Sequence, residues 1–217
     1  MPRFEPRMFD ECPEVVPLLV VQSLIGLLMD AILLNMVYTR FSTAFTRSAS
    51  VIFTDVALVY EEKGLVKIGF RVCEVARKPL IEPLVRVYCV VHREDELEVE
   101  VHQVPLEEPH LDVADGKMFL TLPSRVVLAL DERNCLGHTK TLEQFHAKLS
   151  KIPFLELIVV LSGTCPITGN MLEARQSYTA SDLRSNCRFA SCVRVRDNMH
   201  QVDFELFHQT VRIDFKT

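Results

Sequence analysis

The sequence predicts a mainly β protein in which one membrane-crossing helix precedes an antiparallel β-sandwich. Three observations carry this. Residues 15–38 are almost entirely apolar, residues beyond 50 switch to period-two patterning in roughly ten short runs, and a single short helical pattern interrupts those runs. The 217 residues are 48% hydrophobic and 24% charged, with a mean hydropathy of +0.16. That is enough apolar mass for one or two folded domains and far from a disordered composition. With 29 acids against 24 bases the net charge is −5, which excludes a broadly basic nucleic-acid scaffold.

Val15 to Tyr38 reads VVPLLVVQSLIGLLMDAILLNMVY. A bilayer core of about 30 Å takes about 20 helical residues, so the stretch is long enough to cross. A signal peptide has an apolar core of only about 7–15 residues and no acid, which fits poorly. A buried core helix of a soluble protein is the other reading. Arg3 and Arg7 before the stretch balance Arg40 and Arg47 after it, so flanking charge sets no orientation.

Asp30 is the informative residue. A carboxylate near the middle of a lipid-facing helix costs about 2.5–3.5 kcal/mol on insertion scales, so it must face water or a partner. Ser23, Asp30, Leu34 and Tyr38 fall at spacings that place them on one helical face, flanked by Gln22 and Asn35. Several copies around an aqueous axis would gather the Asp30 side chains into a ring that attracts cations. The alternative is a single-pass anchor whose Asp30 is tolerated or pairs with a basic partner.

Residues 39–50, TRFSTAFTRSAS, are a polar junction. Val51–Tyr60 and Leu65–Val75 are β-branched runs joined by Glu61-Glu62-Lys63-Gly64, a hairpin signal. Pro83–His92 is a further apolar strand. Over Glu96–Val101 the residues Leu97, Val99 and Val101 alternate with three glutamates, which predicts one buried and one solvated face. Gln103–Gly116 reads as a loop, then Met118–Leu122 and Arg125–Leu130 as strands. Thr141-Leu-Glu-Gln144 fits a capping box, with Leu142, Phe145 and Leu149 on one face of a short helix. Phe154–Leu161 is a strongly apolar strand and Ser162–Gly169 a turn. Asn170–Tyr178, Arg188–Val195, Val202–Phe207 and Val211–Phe215 complete an antiparallel sandwich over residues 51–217.

Enzyme motifs are absent from the sequence: no G-x-G-x-x-G, G-x-S-x-G, H-E-x-x-H or EF-hand loop. Gly64 and Gly69 have the outer spacing of a phosphate loop, but Phe70-Arg71 stands where Lys-Ser/Thr is needed. Seven scattered cysteines without C-x-x-C predict mostly reduced thiols, and Cys135-x-x-His138 lacks the second pair of a zinc site. No catalytic residue, resident cofactor or metal is expected.

The order of these features resembles the inward-rectifier potassium channels. Asp10-Glu-Cys-Pro13 resembles the segment after the family's selectivity filter, and Gln22-Ser23, Gly26 and Asp30 resemble its inner pore helix. Ser50-Val-Ile-Phe53, the Gly64 turn and Phe70-Arg71-Val72 resemble the first cytoplasmic strands. Arg175-x-Ser-Tyr178 and Asp203-Phe-x-x-Phe207-His208 resemble later ones, so the likeness runs from about Asp10 to the C-terminus. The resemblance implies an Ig-like (E-set) cytoplasmic sandwich over 51–217, a pore-type transmembrane helix over 15–38 and an extracellular remnant over 1–14. It implies a potassium channel subunit that forms homo- or heterotetramers in the plasma membrane with its C-terminal domain in the cytoplasm, and a place among voltage-gated channels. No nucleic-acid partner is implied.

The same resemblance gives residues roles. Asp30, with Ser23 on its face, is the pore acid that binds Mg²⁺ and polyamines, and Glu82 is a cytoplasmic pore acid with the same task. Ser162 replaces a second such acid, which should weaken cytoplasmic block. Leu34 and Tyr38 fall at the helix-bundle gate, and Thr164–Asn170, including Gly169, resembles the loop that narrows the cytoplasmic pore. Arg40 and Arg47 match positions that grip phosphatidylinositol bisphosphate, a lipid activator, and Arg77 and Lys78 lie near another basic position of that site. At about 1 kcal/mol per base near an anionic leaflet, this reduced set should bind the lipid more weakly. Cys12 matches an extracellular cysteine whose partner is missing and should be unpaired. Residues 1–9, MPRFEPRMF, hold no T-x-G-Y-G run, the filter motif whose carbonyls replace the hydration shell of potassium. The expectation is a chain without the filter, outer helix, pore helix and interfacial amphipathic helix. Two other readings stay open: a non-conducting, membrane-anchored regulatory or interaction subunit, and an incomplete gene product.

Overall fold

The computed structural model describes residues 15–48, 50–76, 78–92, 99–108, 117–120, 122–132, 136–152, 154–167, 169–196 and 199–213, with backbone alone over 40–48. The chain divides into two compact units, Met1–Phe45 and Thr46–Thr217. The first unit is built on α1, Val15–Ser48. Its Val15–Thr39 stretch has a mean hydropathy of 2.2 over the most apolar window and none of that window is buried. At 1.5 Å per residue these 25 residues extend about 37 Å, enough to cross a bilayer core of about 30 Å. The helix continues through the polar junction to Ser48 because Thr39–Ser48 holds neither the glycine nor the proline that would stop it.

The strands of the second unit are, in chain order, β1 (Val51–Phe53), β2 (Ala57–Glu62), β3 (Leu65–Glu74), β4 (Ile81–His92), β5 (Glu100–Val104), β6 (Leu106–Glu108) and β7 (Ser124–Ala129). After the short helix α2 (Leu142–Leu149) come β8 (Phe154–Thr164), β9 (Met171–Thr179), β10 (Leu183–Ser185), β11 (Cys187–Phe189), β12 (Val193–Arg196), β13 (Met199–Val202) and β14 (Thr210–Arg212). One sheet has the order β10-β2-β3-β7-β6, with β1 also on β3; the other is β5-β4-β8-β9. Val59, Ile68, Phe70 and Val126 of the first sheet share one buried cluster with Val87, Val159, Leu161 and Tyr178 of the second. Two sheets that bury alternate residues against each other form a β-sandwich. Strand β8 shows the alternation most plainly: Leu155, Leu157, Val159 and Leu161 are buried, and the residues between them are partly exposed.

The β2–β3 hairpin closes through Lys63 and Gly64, with φ of 53° and 75°. Two positive φ values in a two-residue loop are what a type I′ turn requires. Helix α2 starts at Thr141, whose Oγ1 accepts from the Gln144 N–H at 3.3 Å, and buries Phe145 against the core. The turn follows the sequence pattern; of the expected capping box the Thr141 half forms, while Gln144 Oε1 accepts from the Lys140 N–H at 3.2 Å.

Several expectations are corrected. The run over 51–60 is two strands, because the chain leaves the ladder at Thr54. Strand β6 lies inside the stretch expected to be a loop, and the described residues of Met118–Leu122 form no strand, the isolated bridge to Leu84 coming from Lys117 just before them. Strand β8 runs to Thr164, past the expected turn at Ser162. Val101 is exposed, since β5 is an edge strand whose register turns it outward, and Val99, just before β5, is exposed as well. One pair, β10 on β2, is parallel within an otherwise antiparallel sandwich. The thiols of Cys73, Cys187 and Cys192 are free, whereas Cys89 is in a disulfide. Cys12 and Cys135 lie outside the described residues.

Candidate functional site

The expected site residues fall in both units. On α1, Asp30 stands about 4.5 Å along the axis from the midpoint of the Val15–Thr39 span at 1.5 Å per residue. At 100° per residue, Ser23, Asp30, Leu34 and Tyr38 occupy an arc of about 80° on one side of the helix. All four are exposed in the single chain. The Ser23 hydroxyl donates to the Leu19 carbonyl at 2.8 Å, one turn back, so its polar group is held along the helix. In a helix long and apolar enough to cross a bilayer, Asp30 thus falls near the middle of the candidate span, on a face left uncovered in the single chain. A carboxylate there needs water or a partner, and a single α1 supplies neither.

In the second unit, Glu82 and the Thr164–Asn170 loop meet at one end of the β5-β4-β8-β9 sheet. Strand β4 pairs antiparallel with β8 through Ile81↔Thr164 and Leu84↔Ser162, so Glu82 and Pro83 together oppose Gly163. This is a β-bulge, and Glu82 sits in it with φ +47°, exposed at the sheet end. The close approach favours Gly163: a Cβ there would lie 3.1 Å from Leu80 Cβ and 3.2 Å from its Cδ1, so Leu80 would have to shift. The β8–β9 hairpin then turns over Cys165–Asn170. The Cys165 N–H donates to Asn170 O and the Gly169 N–H to Cys165 O, both at 2.9 Å, with Gly169 at φ +69°. Gly169 and Asn170 are exposed at the tip, Thr164 is half-buried at its base, and Ser162 is half-buried one register step behind.

The basic residues are less fully placed. Arg40 and Arg47 lie two turns apart on α1, with side chains outside the described residues, and Arg77 also lies outside them. Lys78 is exposed in the segment linking β3 to β4. Sequence reasoning missed the residue that shapes that segment. Glu74 is buried, and its Oε2 accepts from the Leu80 N–H at 2.6 Å, while the Val75 N–H donates to Ser50 O at 2.9 Å. Both ends of the Val75–Leu80 connection are thereby tied down. The available signal was an acid ending an apolar strand just before Lys78-Pro79. Gly163 was also missed; a glycine inside an apolar strand pattern marks a close backbone approach.

Residues 51–217 match the family profile described as the inward rectifier potassium channel C-terminal domain. The chain is 28% identical over 211 residues to "ATP-sensitive inward rectifier potassium channel 8" of Rattus norvegicus, covering 95% of this chain and 47% of that one. The Homo sapiens protein of the same name gives the same figures. "G protein-activated inward rectifier potassium channel 3" of Mus musculus is 26% identical over 208 residues, covering 94% of this chain and 51% of that one. The chain thus spans about half the length of these relatives. The grouping with voltage-gated channels is corrected: these relatives are named as inward rectifiers, and Val15–Thr39 holds none of the arginines that a voltage-sensing helix needs.

Proposed function

Because this chain belongs to the inward rectifier potassium channel family, we propose that it acts as a subunit of a tetrameric potassium channel, alone or mixed with related subunits. The observation that carries this reading is Asp30 near the middle of a helix long and apolar enough to cross a bilayer, on an uncovered face, followed by a domain that matches the family's C-terminal domain. Four α1 helices around an axis would turn that face inward and solvate the carboxylates in a water-filled cavity. A ring of like charge in a narrow, low-dielectric space attracts cations in proportion to their valence, so Mg²⁺ and polyamines would accumulate there as blockers while potassium permeates. Ser23 lines the same face. Leu34 and Tyr38 form the helix-bundle gate toward the cytoplasmic end, and Glu82 with Thr164, Gly169 and Asn170 forms a second constriction in the cytoplasmic domain, an Ig-like sandwich of the E-set kind.

On this reading the membrane is the plasma membrane, and Arg40, Arg47, Arg77 and Lys78 bind phosphatidylinositol bisphosphate as an activator. The protein is a transport subunit with no catalytic residue and no resident cofactor.

A second reading is a non-conducting, membrane-anchored regulatory or interaction subunit. One experiment tests both. The 217-residue chain is expressed in oocytes alone and together with a complete inward rectifier. Alone it should pass no barium-sensitive potassium current, since nothing in it compensates potassium dehydration. With the complete subunit it should co-purify in tetramers and alter the current. Failure to co-assemble overturns the subunit reading, and a robust selective current from the chain alone overturns the non-conducting one.

A further inference from the structure

A cavity of about 600 Å³ lies on the outer face of the first sheet, away from the sheet end that carries Glu82 and the Thr164–Asn170 loop. Strand β11 and Ile213 form one wall, the start of α2 another, and the outer faces of β2, β3 and β7 the floor. Asn186, at φ +57°, swings the chain from β10 into β11, and its carbonyl accepts from the Ile213 N–H at 2.9 Å, which fixes that wall. Volumes of roughly 300–1,000 Å³ with mostly apolar linings and a few convergent polar groups are typical of small-molecule sites.

The polar groups converge on one kind of ligand. Arg71, Arg125 and Arg188 all line the cavity. Arg71 is held by a bond to Ala190 O at 2.7 Å and stacks on the Phe189 ring with Cζ 4.7 Å from its centroid. Among the described residues, no carboxylate lies within salt-bridge distance of Arg71 or Arg188. Burial, together with the neighbouring positive charge of Arg125, makes the Arg71 cation less favourable than in water. Tyr60 adds a hydroxyl that is buried from solvent and, among the described residues, has no hydrogen-bond partner. Burial pushes that phenol up from its ordinary range, so it remains a donor at neutral pH.

The charge balance limits the ligand. Glu108 holds Arg125 through two bonds of 3.0 and 3.1 Å, and Glu61 also lines the cavity. Three guanidiniums facing two carboxylates leave one net positive charge, which suits a monoanion and disfavours a polyphosphate. Leu58, Leu142, Phe189 and Ile213 supply apolar surface for a compact hydrocarbon body.

The geometry points to a binding site for a small amphipathic monoanion, with a carboxylate between Arg71, Arg188 and the Tyr60 hydroxyl and an apolar body against Phe189 and Leu58. The site lies within one copy of the domain and does not depend on channel assembly or conduction, so its test is separate from that of the proposed function.

The test uses the full chain in nanodiscs of neutral phosphatidylcholine, with empty nanodiscs as the blank. 2-Naphthoate and its uncharged analogue 2-naphthamide are titrated by calorimetry. Naphthoate should bind at least tenfold more tightly than the amide. Arg188 is exposed on β11, so Arg188→Gln leaves the fold intact; it should weaken naphthoate at least tenfold and leave naphthamide unchanged. Tyr60→Phe should weaken naphthoate severalfold. Equal binding of the two probes, no binding of naphthoate at millimolar concentration, or unaltered naphthoate affinity in Arg188→Gln overturns the site.

Discussion

The Tyr178 hydroxyl donates to the Thr54 carbonyl at 2.7 Å, joining residues 124 positions apart and tying β9 of one sheet to the point where the other sheet's β1 and β2 part. Thr54 is completely buried, and its departure from the ladder leaves a carbonyl that needs a donor. Its hydroxyl accepts from the Arg71 N–H at 3.1 Å and its own N–H donates to Arg71 O at 3.0 Å, so the kink is fully bonded. The Tyr178 ring also packs on Phe70, 5.3 Å between centroids. Tyr178→Phe keeps that packing and leaves one buried carbonyl unpaired. It should lower the unfolding free energy by about 1–3 kcal/mol, read from urea unfolding followed by circular dichroism. A loss under a few tenths of a kcal/mol would show that the tie between sheets contributes nothing to stability.

A second tie is pH-dependent. The Asp182 carboxylate accepts from the Thr179 N–H at 2.8 Å and from its hydroxyl at 2.7 Å, and these bonds hold its pKa below the usual carboxylate value. A carboxyl whose folded pKa is depressed stabilises the fold fully above its unfolded pKa, and that contribution disappears as pH falls through the folded one. Glu62, bonded to Lys67 at 2.9 Å, is lowered for the same reason and acts in the same direction. Unfolding midpoints should therefore fall between about pH 5 and pH 3. Asp182→Asn should be less stable at neutral pH by about 0.5–1 kcal/mol and show a shallower acid slope than the parent chain. Identical slopes would remove Asp182 from the account.

Gly163 controls the bulge that presents Glu82. An added Cβ would come within 3.1 Å of Leu80 Cβ and 3.2 Å of its Cδ1, so the packed Leu80 side chain would have to shift. Gly163→Ala should cost about 1–3 kcal/mol of stability. It should also speed amide hydrogen exchange at Thr164 and Cys165, while exchange in the β2–β3 hairpin stays unchanged. Faster exchange everywhere would mean global destabilisation and no special hold on the bulge.

Local chemistry was legible in the sequence and long-range chemistry was not. The Lys63-Gly64 turn and the Thr141 cap are each written in four or five adjacent residues, and both form as their residues dictate. The break at Thr54 depends on Tyr178, and nothing near Thr54 announces it. The Glu82 bulge depends on Gly163 across the β4–β8 ladder, so the residue was identifiable but its left-handed backbone was not. Period-two patterning gave Val101 a face but not a direction, because an edge strand can turn its apolar side to solvent. On α1 the shared face of Ser23, Asp30, Leu34 and Tyr38 follows from their spacing and the 100° step of a helix, with no long-range contact required.

Asp30 is where the functional reading stands or falls. Joined in frame to the outer helix and filter of a complete inward rectifier, its α1 should line the cavity below that filter. Four carboxylates there would concentrate multivalent cations because the electrostatic gain grows with ligand charge. Outward driving force would carry spermine from the cytoplasm into the ring and inward potassium flow would clear it, which produces rectification. If Asp30 instead only packs against a neighbouring helix, its charge matters for assembly and not for block. Asp30→Asn keeps the shape and removes the charge. The chimera carrying it should still assemble and conduct, with spermine affinity reduced at least tenfold and outward current restored in inside-out patches. Unchanged spermine block in a conducting Asp30→Asn channel would remove Asp30 from the pore and leave Glu82, at the sheet end beside Thr164, as the acid to test next.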